Sequence, residues 1–155
     1  MSVLQRRKLI ASSILLCLIC TLVSGCNRYR LTVNERSVFE PAPLFKDHRI
    51  ADQALAQCVE QAIIDQQVTR PAQLSKLSCS HAGLISLEGI TVFTGLIRIN
   101  LKGNSIIGIK PLLFLPRLES VNLEDNPSLN CQDAALLEEQ LSGELLKPKH
   151  CRQIK

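Results

Sequence analysis

The side chains best suited to chemistry in this chain are its cysteines, and their spacing suits cross-linking better than catalysis. Cys58, Cys79, Cys131 and Cys151 stand at least twenty residues apart. Zinc sites usually take ligands in pairs two to four residues apart, and redox catalysis wants a closely spaced active thiol pair. Neither pattern occurs among these four. His48, His81 and His150 are scattered and read as ordinary surface or capping residues rather than metal ligands. Glu138 and Glu139 are neighbours on a predicted helix, so they point in different directions and suit a solvated face rather than paired acid–base work. No metalloprotease helix motif, nucleophile elbow, phosphate loop or dinucleotide fingerprint is present. The sequence therefore assigns no catalytic residue, no metal and no cofactor, and reads as a non-enzyme.

The amino terminus explains the other three cysteines. Residues 1–25 carry Arg6, Arg7 and Lys8, no acid, and the fifteen-residue apolar run "LIASSILLCLICTLV". That run is shorter than the roughly 20 residues a helix needs to cross a bilayer core, which marks a secretory signal rather than a permanent span. The stretch "LVSGC", Leu22 to Cys26, resembles the lipobox of bacterial lipoproteins. The resemblance implies cleavage before Cys26, a diacylglycerol on its thiol and an acylated new amino terminus; several acyl chains make a stable anchor. Asn27, where an aspartate would favour inner-membrane retention, resembles outer-membrane sorting with the domain facing the periplasm. Cys17 and Cys20 then leave with the signal and Cys26 takes lipid. Four cysteines remain, expected to form two disulfides, with three pairings open to sequence alone.

The mature chain, Cys26 to Lys155, is 130 residues long and fits one domain with a modest core. Its charge excludes one partner class. Removing Arg6, Arg7 and Lys8 leaves fifteen basic against fourteen acidic residues, a net of +1, too little for a nucleic-acid footprint. Aromatic residues make up only 3% of the sequence, so base-stacking or sugar-stacking platforms lack their usual material.

The elements that position everything else follow from a repeat of 22 residues. Leu74, Leu96 and Leu118 open three units; Leu77, Ile99 and Val121 come three places later, and Cys79, Leu101 and Leu123 two places after that. Ala82, Asn104 and Asn126 follow, and the register continues through Leu84 and Ile106, Leu87 and Ile109, Ile90 and Leu112, and Phe93 and Leu115. A 22-residue period with asparagine at fixed phase, and Gly89, Pro111 and Pro116 in the return segments, fits neither a heptad nor a 3.6-residue helix. It resembles the leucine-rich repeat, particularly the 22-residue bacterial type found in internalins. The resemblance implies an α/β fold: a short solenoid of about three coils, with a parallel sheet on its concave side and an asparagine ladder at Asn104 and Asn126. Ala82 breaks that ladder in the first unit.

So few coils need covered ends. Upstream, "IADQALAQCVEQAIIDQQ" places Ile50, Ala54, Leu55, Cys58, Val59, Ala62 and Ile63 on one helical face, ending before Pro71. Cys58 would face the core and Cys79 takes an inward strand position, so a bridge between them would fasten this cap to the repeats. Downstream, a helix starting near Asp133 would carry Leu136, Leu137, Gln140 and Leu141 and stop before Gly143, with Cys131 to Cys151 closing the second cap. The organisation expected is a signal peptide at 1–25, a lipidated tether at 26–47 with Pro41 and Pro43, a cap at 48–73, repeats at 74–128 and a cap at 129–155.

Function then rests on the outward strand positions: Lys76, Ser78 and Ser80; Arg98, Asn100 and Lys102; Ser120, Asn122 and Glu124. The family resemblance implies that this row contacts an envelope or extracellular protein, and the membrane is reached through the lipid. Strands spaced about 4.8 Å apart give three coils a face of only a few hundred Å², below the roughly 800 Å² per partner of a standard interface, so the caps would have to contribute. The alternative is a passive envelope spacer whose outward residues are merely solvated.

Overall fold

A computed structural model describes residues 31–33, 36–39 and 41–152 of the chain. The signal segment, the lipobox and Cys26 lie outside the described residues. The chain divides into two units, Met1–Ala42 and Pro43–Lys155. In the first, β1 (Leu31–Val33) pairs antiparallel with β2 (Arg36–Phe39). The sequence reading placed an irregular tether here; runs such as Leu-Thr-Val and Ser-Val-Phe carry strand-favouring residues that are too short to register as a period.

The second unit opens on Leu44 and Phe45, which pack against the core, with the Phe45 amide bonded to Val68 O at 2.8 Å. Ordered packing therefore begins ahead of the expected boundary at residue 48. Helix α1 (Gln53–Asp65) starts where Asp52 caps it, Oδ1 accepting from the Leu55 amide at 3.1 Å. Its buried stripe is Leu55, Val59 and Ile63, spaced four residues apart. Val68 then turns back to bond Ile63 O, and a 3₁₀ turn at Pro71–Gln73 leads into the sheet.

Strands β3 (Lys76–Ser78), β4 (Arg98–Asn100) and β5 (Ser120–Asn122) are three residues each and pair in parallel, with Leu77, Ile99 and Val121 side by side. Each strand meets the one 22 residues later because every intervening segment returns through short 3₁₀ turns, Ile90–Val92 and Lys110–Phe114. Alternation does the rest: Leu77, Cys79, Ile99, Leu101, Val121 and Leu123 are buried, and so are Leu84, Leu87, Ile90 and Phe93 of one return and Ile106, Ile109, Leu112 and Leu115 of the next. A fourth strand, β6 (Leu145–Leu146), extends the sheet beside β5, with Val121 against Leu145 and Asn122 against Leu146. It falls in a stretch read from sequence only as a cap.

The two buried asparagines inside this stack are matched. Asn104 Oδ1 accepts from the amides of Ala82, Gly83 and Leu84 of the preceding unit at 2.9–3.1 Å, while its Nδ2 donates to Cys79 O and Leu101 O, both at 2.8 Å. Asn126 repeats the arrangement one unit on, accepting from Ile106 and donating to Leu101 O, Leu123 O and Glu124 O. The residue just before it in phase is left-handed in every unit: His81, Gly103 and Asp125 have φ of 54°, 71° and 56°. At the middle position glycine takes this conformation without strain, and a Cβ on Gly103 would require the exposed His81 ring to move.

Helix α2 (Cys131–Gln140) closes the far side. Its cap is Asn130, whose side chain accepts from Gln132 N at 2.9 Å, so the helix starts before Asp133. Packing against the last return buries a different face: Asp133, Ala134 and Leu137 are buried, Gln140 is exposed and Leu136 is 54% exposed, contrary to the apolar stripe expected from the sequence. Two disulfides fasten the ends, Cys58–Cys79 from α1 to the segment after β3, and Cys131–Cys151 from the start of α2 to a 3₁₀ turn at Lys149–Cys151. No helix among the described residues is long and apolar enough to cross a membrane.

Candidate functional site: the groove over the sheet

Because the leucine positions turn inward, the alternate residues of β3, β4 and β5 line an open groove of about 640 Å³. Its floor holds Lys76, Ser78, Arg98, Asn100, Ser120 and Asn122. One wall is the polar face of α1 at Gln61, Asp65 and Gln66, and the other end is Leu146 of β6. Gln66 Nε2 donates to Lys76 O at 2.7 Å, tying that wall to the first strand. Neither the α1 wall nor Leu146 belongs to the repeat, so periodicity alone does not reveal them. The outward polar face of α1 beside Cys58 was the one available signal.

The floor is rich in donors. Asn100 Oδ1 accepts from Lys102 N at 3.2 Å and Asn122 Oδ1 accepts from Glu124 N at 2.9 Å. With each carbonyl oxygen holding its own chain, the amide NH₂ groups are what these asparagines have to offer a partner. The cations Lys76 and Arg98 are exposed, and no described carboxylate lies within ion-pairing distance of either.

The remaining outward residues behave differently. Ser80 is exposed just past β3, outside the groove lining. Lys102 pairs with Glu124 at 3.2 Å and with Asp125 at 3.4 Å, and Arg152 takes the other Glu124 oxygen at 2.7 Å. Hydrogen bonding and charge from Glu124 raise the Lys102 pKa above its ordinary value, and the same contact with Lys102, helped by Arg152, holds the Glu124 carboxyl below its own. These three charges satisfy one another on the surface, which leaves them less available to a ligand than Lys76 and Arg98.

Among the described residues, one other group gathers candidate metal ligands. Cys131, Cys151 and His150 have ligating atoms within 4.8 Å of one another. The two sulfurs are joined in a disulfide, so the thiolates that a metal would need are consumed. His150 Nε2 instead lies 3.2 Å from Leu129 O. His48 packs between Phe45 and Phe93, with ring centroids 6.3 and 6.1 Å away, and His81 is exposed beside Gly103.

No protein-family model matches the chain, and no curated protein sequence matches it. Among solved structures it is similar to an internalin C2 from Listeria monocytogenes, at 26% identity and a TM-score of 0.48. The alignment covers 61% of this chain and 46% of that one, so the chain spans less than half of that protein's length.

Proposed function

We propose that the protein is a lipid-anchored leucine-rich repeat module of the bacterial cell envelope, a three-coil solenoid with helical caps, and that its groove contacts another envelope protein. The observation that carries the reading is the combination of an open groove with a floor of amide donors and of cations that no described carboxylate pairs. Asp65 on the α1 wall is the one carboxylate of the lining, and it pairs with neither Lys76 nor Arg98, so both cations stay available on the same side. Such a floor suits a partner segment that presents carboxylates and backbone carbonyls. The α1 wall and Leu146 enlarge the contact beyond the strands, and a partner held on the same membrane gains from effective concentration. The lipobox and signal supply the anchoring and the periplasm-facing outer-membrane location.

The test is crosslinking in native envelopes followed by quantitative co-purification, comparing the wild type with a Lys76→Glu, Arg98→Glu, Asn100→Ala variant at matched abundance. Loss of one specific protein from the variant supports groove recognition. An unchanged set of co-purified proteins supports the passive spacer instead. Lys102 is left intact because its substitution would release Glu124 and confound the result.

A further inference from the structure

The segments that follow the asparagine ladder carry a second recess, separate from the groove. Successive units place Ile85 and Ile107 there, and both stand out into solvent, at 58% and 60% exposure. Between them and the start of α2 is a cleft of about 440 Å³, also bordered by Glu88, Lys110 and Pro111 and reaching Asp133.

Asp133 is the unusual residue. It is only 5% exposed, yet no described residue donates a hydrogen bond or an ion-pair contact to its carboxylate. An acid at this third helical position ordinarily accepts from the amide of the capping residue. Here the Asn130 amide is already committed to Ile107 O at 2.8 Å, so the local partner is taken. Gly108 borders the carboxylate, its Cβ position lying 3.6 Å from Asp133 Oδ2. The carboxylate oxygens open onto the cleft and are served by water there, so a donor that enters the cleft can take the water's place.

We propose that this cleft receives a basic side chain, lysine or arginine, from an extended partner peptide, with the charged head on Asp133 and the aliphatic stem between Ile85 and Ile107. The chemistry is complementary on both counts: an isolated carboxylate inside, and exposed β-branched apolar side chains at the mouth. Long cationic side chains combine such a head and stem. The cleft thus prefers the opposite charge from the groove, and a single partner that carried both signs would engage the two surfaces together.

The experiment is a ¹H–¹⁵N NMR titration of the full chain, both disulfides oxidised, with N-acetyl-arginine methylamide and with its neutral citrulline analogue. Saturable shifts confined to residues 85–88, 107–111 and 130–134, at least tenfold weaker for citrulline, are expected. Asp133→Asn should abolish them, and Ile107→Ser, a surface change that spares the core, should weaken binding several-fold. Equal shifts from both probes, no saturable shift, or binding retained in Asp133→Asn would overturn the proposal. Lys110 is the internal competitor, so Lys110→Met is the second variant. Binding unchanged or tightened up to about threefold supports the proposal, whereas binding seen only in that variant would make Lys110 the true occupant and sink it.

Discussion

Replacing Asn104 with alanine should cost more stability than replacing any other polar residue of the repeats. The side chain makes six hydrogen bonds, three accepted and three donated. The amides of Ala82 and Gly83 belong to exposed residues, so water can replace the lost acceptor there. The Leu84 amide and the Cys79 carbonyl belong to buried residues and would be left without a partner. At about 1–3 kcal/mol for each of these two buried unsatisfied groups, Asn104→Ala should lose about 2–6 kcal/mol. That is a large share of a domain stability on the order of 5–15 kcal/mol. Asn126→Ala should lose less, because its oxygen serves one amide rather than three. Leu101 O gives the sharper test. It accepts from Asn104 Nδ2 at 2.8 Å and from Asn126 Nδ2 at 2.9 Å, so either single variant leaves it one donor and the double variant leaves it none. The double loss should exceed the sum of the single losses by about 1 kcal/mol. Urea unfolding followed by far-UV circular dichroism measures all three, since the chain has no tryptophan to report by fluorescence. A loss below about 1 kcal/mol for Asn104→Ala, or strict additivity in the double variant, would refute the account of the ladder.

Serine at both Cys58 and Cys79, or at both Cys131 and Cys151, should each remove about 3 kcal/mol, because the bridges close similar separations of 21 and 20 residues; urea midpoints of the two variants under oxidising conditions give the comparison. Gly95→Ala should destabilise by about 1–3 kcal/mol, because the new methyl would overlap the Ala72 carbonyl, and a thermal melt unchanged from wild type would contradict that packing. Asp52 predicts a pH effect. Burial pushes its carboxyl up, but amide donors from Ser86, Ile85, Leu55 and Ala54 together outweigh it and leave the pKa below its ordinary value. The folded state therefore gains stability from Asp52 above the unfolded value of about 3.9 and loses it as pH falls through the lower folded value. Asp52→Asn should be less stable at neutral pH, and its deficit should shrink below about pH 4; a deficit independent of pH would show that the charge plays no part.

The inward face of the sheet was legible in the sequence because it is periodic. Leu77, Ile99 and Val121 share a phase, and apolar residues at a fixed phase have few places to go except a shared core. The left-handed position was harder to see, since His81, Gly103 and Asp125 share a backbone conformation but no residue type. Helix α2 misled for a related reason: Asp133 and Asn130 are both acceptable caps, and which one serves is decided by where the Asn130 amide finds Ile107 O.

What the sequence determined by itself is the 22-residue pitch, the side chains that pitch buries, and four widely spaced cysteines, an even number, after residue 26. Only the tertiary structure decided which charges are spent on one another and which remain available. Lys102 and Arg98 are outward residues of the same unit, two outward positions apart, yet Lys102 is held by Glu124 from the next unit and Arg98 is not. Asp52 reaches 34 residues ahead to the Ser86 amide, Leu146 enters the sheet after a helix has replaced the repeat, and Asp133 loses its local partner to a distant carbonyl. The contacts of Asp52, Leu146 and the Asn130 amide each occur once and off the repeat register, so no spacing in the chain announces them; they exist only when the stacked units bring the groups within hydrogen-bonding distance.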